Sequence, residues 1–458
     1  VNIMLINDVV MQPTSSNYKF SDLFDLIESK IDVYNNEDEF YYKPIDIMDW
    51  YYEWDFKKYN PNIFSHGFHQ YPAKFIPQLA RKLLRIFTDQ ESVVLDNFSG
   101  SGTTLVESML LNRKVAIGIE LNPFACFMAK VKTTPINYQK LNLFYDKIKK
   151  DFSFLKNYSI YSFHNIEFWF KEKQIQDLSK LRDIIMDIDD ENAKNFFLLC
   201  MSEVVRRVSL TKHNGFKLHR DRSKLTENFN PDILWHFSYF VNRNLFLMKE
   251  FYNKTRNSKT EIKIIQGDSR HIQDIEKNSV DFILTSPPYG DSKTTVAYGQ
   301  FSRLSWQWIN NNDLDINKID QKLLGGTIGK QDKEILAYSK TLNLQYNEIK
   351  TKDIKRAEEV ISFYTDLYQS IKCAYEYLKK DKFFVLVTGN RTVKNIFLRT
   401  DLIISEISST VGFKTEKILH RNIINKRMPI KNSPSNKKGE ISNTMLKESI
   451  IFLKKHSE

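Results

Sequence analysis

The run Asp281-Phe-Ile-Leu-Thr-Ser-Pro-Pro-Tyr-Gly-Asp291 joins an apolar segment to residues that can do chemistry. Val280, Phe282, Ile283 and Leu284 read as a short buried strand, which stops at Ser286, Pro287, Pro288 and Tyr289. Two successive prolines fix φ and remove two N–H donors, so neither continues a central strand. Proline also keeps the residue before it extended. The expected product is a rigid shelf carrying a hydroxyl, outward-facing carbonyls and an aromatic ring. Open α/β sheets bind their ligands at the carboxyl ends of their strands, where this shelf would sit. A proline-punctuated turn without chemistry is the plain alternative. The rest of the chain decides between them.

Three further strand ends carry residues of the right type. Residues 93–96 read as a buried strand ending in Asp96, followed by Asn97, Phe98, Ser99, Gly100, Ser101, Gly102 and Thr103 and then a helical run over 105–111. A strand, a glycine turn and a helix let a ligand approach the backbone and meet the helix N-terminus. A second strand over 114–120 ends in Glu120, about 20 residues beyond the glycines, where doubly wound nucleotide-binding folds place an acid on the ribose hydroxyls. A third, from residue 262, ends in Gly267 and Asp268. Ahead of them, residues 65–77 form a loop holding His66, His69, Tyr71, Pro72 and Lys74, and it leads into a helix over 77–87 with proline at its first turn. The two histidines are metal ligands by type, but with no third ligand nearby a plain loop role fits better.

The elements that must position these residues alternate between strand and helix. After the shelf come a helix over about 356–380, a strand over 383–387, a helix over about 399–411 and strands over 414–420 and 448–453. The fold class is therefore α/β, with helices following parallel strands. Two stretches break the rhythm. Residues 133–258 read as long helices with few strand signals, so they form a helical insertion in the domain made by 65–132 and 259–458. The insertion carries Arg206, Arg207, Lys217, Arg220 and Arg222, against a single acid at Asp221, a cluster suited to phosphates. Residues 293–355 read as an irregular polar loop, and a basic loop over 421–438 includes Lys426 and Arg427. Residues 1–64 read as an acidic, aromatic leader with no assignable chemistry.

The 458 residues carry a net charge of +11, which suits a polyanionic partner, nucleic acid before membrane surface. An apolar fraction of 41% supplies a core and excludes a disordered chain. The three cysteines, Cys126, Cys200 and Cys373, have no paired spacing, which fits a reducing cytoplasm and argues against a disulfide framework or a cysteine zinc site. No apolar run is long enough to span a bilayer, and the first residues lack the pattern of a secretory signal.

In this order the residues resemble the S-adenosylmethionine-dependent DNA methyltransferases that act on exocyclic amines in restriction–modification systems. The resemblance rests on the cofactor loop from Asp96 to Gly102, Glu120, Gly267-Asp268 and Ser286-Pro-Pro-Tyr289, each after a successive strand. The Tyr71-Pro-Ala-Lys-Phe75 segment resembles the one such enzymes place before the cofactor loop. It covers about 65–132 and 260–455. It implies a doubly wound, seven-stranded, mostly parallel sheet of the class I methyltransferase type. It further implies that Tyr71, Pro72, Lys74, Asp96, Phe98, Gly100, Gly102, Thr103, Glu120 and Asp268 serve the cofactor, Glu120 through the ribose hydroxyls and Asp268 through the adenine amine. Ser286 Oγ and the Pro287 carbonyl would orient the target amine, with Pro288 setting geometry and Tyr289 stacking on a base taken out of the duplex. No metal is needed for such a transfer. Double-stranded DNA, a monomeric state, a nucleoid-associated place in a bacterial cytoplasm and functional pairing with a restriction endonuclease follow from the same resemblance.

Ser-Pro-Pro-Tyr in this family goes mostly with the N4 amine of cytosine, and Asp- or Asn-Pro-Pro-Tyr with the N6 amine of adenine. N4-cytosine is the expectation, with N6-adenine as its alternative, since a hydroxyl can serve either amine. A carbon-5 cytosine enzyme needs a cysteine after proline, and none of the three has one. An RNA amino-methyltransferase or a non-catalytic DNA-binding subunit are the more distant alternatives. The sequence closes on the last strand, which is expected to leave no recognition domain beyond it. Target readout is expected from 133–258, helped by 293–355 and 421–438.

Overall fold

The computed structural model describes residues 54–57, 59–212, 215, 217–291, 296–310, 316–327, 333–423, 431–432, 442–443 and 446–456. Seven strands form one sheet: β1 (Val93–Asp96), β2 (Val115–Glu120), β3 (Glu261–Gln266), β4 (Val280–Thr285), β5 (Leu378–Thr388), β6 (Phe413–Asn422) and β7 (Lys447–Lys455). Their order is β3-β2-β1-β4-β5-β7-β6. All neighbours pair in parallel except β7, which runs antiparallel between β5 and β6. This is the class I methyltransferase arrangement expected from the sequence. The strand order reverses between β1 and β4, the switch point at which open α/β sheets bind ligands.

The longer helices are α1 (Pro77–Phe87), α2 (Thr103–Leu110), α3 (Pro123–Lys132), α4 (Tyr138–Phe154), α5 (Glu172–Met186), α6 (Glu191–Val208), α7 (Ile233–Thr255), α8 (Tyr298–Ile309), α9 (Lys340–Lys352), α10 (Ile354–Tyr377) and α11 (Thr400–Ser409). Side chains along a strand alternate between the two faces of a sheet. On one face Val94, Phe282, Leu284 and Val385 pack with Leu79 and Leu83 of α1. On the other, Leu95, Ile283, Phe384 and Leu386 pack with Val360, Tyr364 and Leu367 of α10 and Ile403 of α11. Both faces are covered, which is why β4 reads as an unbroken apolar run.

The stretch between α3 and β3 is helical, as its periodicity indicates, and it does not have a core to itself. Phe196, Phe197, Val204, Phe237 and Met248 of α6 and α7 share one cluster with Phe68 of the early loop, Phe124 and Met128 of α3, and Trp308 of α8. The expectation of an irregular loop over 293–355 is corrected: α8 and α9 lie within it. Phe301, Leu304 and Trp308 recur at helical spacing and are buried, but Gly299 and the polar residues around them mask that period in the sequence.

The described part of the leader is tied to β6 and α1. Arg421 Nε and Nη2 of β6 donate to the Trp54 and Asp55 carbonyls at 2.8 and 3.2 Å. The Asp55 carboxylate accepts from the Asn422 N–H and Nδ2 at 2.6 and 2.8 Å. Lys82 of α1 lies 4.0 Å from the centre of the Trp54 ring. These contacts pair residues far apart in sequence, which no local pattern reveals.

Candidate active site

The carboxyl ends of β1 to β4 open into one cleft of about 870 Å³, open solvent at its mouth included. Its lining brings together Tyr71, Pro72, Lys74, Asp96, Phe98, Gly100, Thr103, Glu120, Asp268, Ser286 and Pro288. Of the residues expected at the site, Gly102, Pro287 and Tyr289 stand outside that lining. Gly102 holds the turn: its φ is +85°, and a Cβ there would lie 2.8 Å from the Ala129 Cβ. Gly100, at φ +50°, brings the backbone under the Tyr71 ring.

Asp96 is buried, and its carboxylate joins three elements. Oδ1 accepts from Thr285 Oγ1 at 2.7 Å and from the Phe98 N–H at 3.2 Å, while Oδ2 accepts from Thr104 Oγ1 at 2.6 Å. Thr285 Oγ1 also accepts from the Phe98 N–H at 3.1 Å. The end of β1, the start of α2 and the end of β4 are thereby fixed to one another. Thr285 immediately precedes the shelf, and sequence reading passed over it because a threonine at a strand end is ordinary. Burial pushes the Asp96 carboxyl up to about 6, against the lowering effect of these donors.

Glu120 meets the glycine turn from β2. Its Oε2 accepts from the Gly100 N–H at 2.9 Å and its Oε1 from the Asn122 N–H at 2.8 Å. Burial raises its pKa to about 7. Each oxygen keeps acceptor capacity toward the cleft, as a pair of ribose hydroxyls requires. A carboxylate for a diol beside an exposed glycine turn fits S-adenosylmethionine.

Asp268 lies on the far wall and is paired within the protein. Arg270 donates to it through Nε at 2.9 and 3.1 Å and through Nη2 at 2.6 Å, and reaches the Lys322 carbonyl and Asp366 as well. These donors hold the Asp268 carboxyl below its ordinary value against the opposing effect of burial. Lys74 is a brace for the early loop, donating to Asn62 Oδ1 at 3.0 Å and the His66 carbonyl at 2.9 Å. His66 Nε2 lies 2.7 Å from Glu107 of α2, and the Gln70 N–H donates to Glu203 of α6 at 2.7 Å. Burial lowers the pKa of His66 and takes His69 down to about 4. The loop role read for both histidines matches these contacts.

Tyr289 is half-buried, and its hydroxyl donates to Glu448 of β7 at 2.9 Å, with Ser286 Oγ 3.5 Å away. Of the basic cluster, Arg207, Lys217 and Arg222 are exposed. Arg206 is not a surface cation, which corrects its place in that cluster. It donates to the Phe301 carbonyl at 2.9 Å and lies 4.2 Å from the Phe301 ring centre, and burial lowers its pKa to about 10. Arg220 is half-buried, 4.4 Å from the Phe168 ring centre. Lys426 and Arg427 lie outside the described residues.

The family model for DNA methylases of the N6/N4 type matches residues 11–131. The match takes in most of the segment set apart as a leader, which places that segment within the family's own sequence. The chain is 38% identical over 420 residues to the type II methyltransferase M.MvaI of Kocuria varians, covering 87% of this chain and 92% of that one. It is 41% identical over 93 residues to the type II methyltransferase M.MjaII of Methanocaldococcus jannaschii, 20% of this chain and 17% of that one. Among solved structures, the rRNA methyltransferase AviRa from Streptomyces viridochromogenes aligns over 84% of this chain and 88% of that chain. At 10% identity and a TM-score of 0.30, that alignment is too loose to inform the site. With the class I sheet, the cleft at its switch point and a relative matched over nearly its whole length, the chain belongs to the S-adenosylmethionine-dependent type II DNA methyltransferases of the N6/N4 family.

Proposed function

We propose that this enzyme methylates the N4 amine of cytosine in duplex DNA, with S-adenosylmethionine held in the cleft and the target base presented to Ser286. The observation that carries the reading is the residue at the head of the shelf. Ser286 lines the same cleft as Glu120 and Gly100, and Asp96 locks the strand end before it to the cofactor loop. A serine there, where adenine enzymes of the family have Asp or Asn, favours cytosine.

When bound, S-adenosylmethionine supplies an electrophilic methyl group on a sulfonium. Glu120 and the glycine turn would hold its ribose. An exocyclic amine is a poor nucleophile because its lone pair is delocalised into the base ring. Ser286 Oγ and the Pro287 carbonyl, accepting from the amine hydrogens, draw the nitrogen toward tetrahedral geometry and stabilise the charge that develops on it. Holding amine and methyl donor in line supplies much of the remaining acceleration. Tyr289 lies beside the cleft, not in its lining, which suits a ring that receives a base turned out of the duplex. In this reading Arg207, Lys217 and Arg222 meet phosphates, and the 133–258 insertion reads the sequence. The enzyme acts as a monomer in the cytoplasm and protects sites from a partner endonuclease.

Chromatography of nucleosides from DNA treated with the purified protein and S-adenosylmethionine tests this. N4-methylcytosine is the expected product; N6-methyladenine without it overturns the choice of base. The same assay on a chimera carrying 133–258 from a relative of different specificity is expected to shift the methylated sequence. An unchanged sequence places the readout elsewhere.

A further inference from the structure

The hydroxyl of Tyr289 adds nothing to the stacking surface of its ring, yet it is held. It donates to Glu448 Oε1 at 2.9 Å, and Glu448 Oε2 accepts from Arg421 Nη1 at 2.5 Å. The Arg421 side chain is 1% exposed and that of Glu448 15% exposed, so water screens this pair little. The remaining Arg421 nitrogens donate to the carbonyls of Trp54 and Asp55, and Asp55 is pinned in turn by Asn422. The phenol, Glu448, Arg421 and the segment at Trp54 thus form one continuous chain of hydrogen bonds. It runs from the catalytic shelf across the β7 and β6 ends to the start of the described chain. Burial and the Glu448 charge raise the Tyr289 pKa well above its ordinary value, so the phenol stays a donor.

We infer that Glu448 is a positioning residue for methyl transfer: seated on Arg421, it holds the ring of Tyr289 in the place that receives the target base. The inference rests on the proposed role of Tyr289. The hydroxyl lies on the long axis of a tyrosine ring, so a hydrogen bond from it to a braced carboxylate fixes where that axis points, and with it the first side-chain torsion and the position of the ring. A ring that must accept a base within a few tenths of an ångström of the methyl donor gains rate from such pre-organisation. Arg421 keeps Glu448 stationary, and the Trp54–Asp55 carbonyls keep Arg421 stationary.

A double-mutant cycle with Glu448→Ala and Tyr289→Phe tests this, with Glu448→Gln as the variant that preserves an acceptor of the same shape. Single-turnover methyl transfer to duplex DNA, affinity for S-adenosylmethionine and Tm are measured for each. Expected is a loss of at least tenfold in transfer for Glu448→Ala, with cofactor affinity within about twofold of wild type. Glu448→Gln is expected to retain transfer within about threefold. In the Tyr289→Phe background, Glu448→Ala is expected to add little further loss. Equal losses in both backgrounds, or a parallel loss of cofactor affinity, make Glu448 a general structural residue and overturn the inference. If Glu448→Ala does not fold, Tyr289→Phe alone decides, transfer within about twofold of wild type being the adverse result. A wild-type protein that transfers no methyl group to DNA sinks the functional reading instead. In that event the Tm cycle is decisive, since absence of coupling between Tyr289 and Glu448 overturns the inference without any turnover.

Discussion

At the scale of single residues, two buried acids give the cleft its dependence on pH. Burial raises Glu120 to about 7 and Asp96 to about 6, from ordinary values of 4.5 and 3.8. A carboxyl whose folded pKa is raised favours the folded protein when protonated. That contribution is complete below the unfolded pKa and is lost as pH rises through the folded one. The empty protein is therefore expected to lose thermal stability between about pH 4 and 7, by at most about 1.4 kcal/mol per group per pH unit. Ligand binding runs the other way, because ribose hydroxyls donate to the ionised Glu120. In the proposed binding mode, affinity for S-adenosylmethionine is expected to strengthen from about pH 5 to 7 and level off above, by up to tenfold per unit where the dependence is steepest. Glu120→Gln is expected to weaken binding and flatten the profile. Calorimetric titration across that range checks both, and an unchanged slope in Glu120→Gln assigns the dependence to another group.

The sequence reveals the types of these residues but not all of their occupations. Glu120 is legible because an acid about twenty residues past a glycine turn has a physical reason to be there. Asp96 is legible as a site residue, and the structure adds that its carboxylate binds Thr104, Thr285 and the Phe98 amide. Arg206 reads as part of a basic cluster, yet it lies against Phe301 across the fold. Glu448 and Arg421 give no local signal, because what they do depends on partners more than a hundred residues away.

At the scale of elements, the alternation of apolar runs and glycine or proline stops places every strand of the sheet to within a few residues. Helix α1 begins at Pro77 and α3 at Pro123, as proline at a first turn requires. Helices α8 and α9 are the misses; in α8 the buried Phe301, Leu304 and Trp308 are interleaved with Gln300, Ser302, Arg303, Ser305 and Gln307, which hide the helical period. What couples the elements is narrower than the packing between them. Thr285 at the end of β4 is the hydroxyl through which the shelf meets the cofactor loop. Thr285→Val keeps the side-chain shape and removes that hydroxyl. It is expected to cost about 1–3 kcal/mol, since it leaves the Phe98 amide and Asp96 short of a partner in a buried place. Urea unfolding measures the cost, and a loss under about 0.5 kcal/mol removes Thr285 from the coupling.

At the scale of the whole molecule, the proposed chemistry puts the cofactor beside β1 and β2 and the base beyond β4, with Ser286 between them. The insertion joins the sheet domain through a shared core. The Trp54 segment is tied to β6 through Arg421. The central claim is that the Ser-Pro-Pro-Tyr shelf serves the target amine and not the cofactor. It is tested most directly by comparing single-turnover transfer with S-adenosylmethionine affinity in Ser286→Ala and Tyr289→Ala. Transfer is predicted to fall by a hundredfold or so, equivalent to about 2.7 kcal/mol, while affinity stays within a few fold of wild type. Equal losses in both quantities would contradict the account and assign the shelf to the cofactor site.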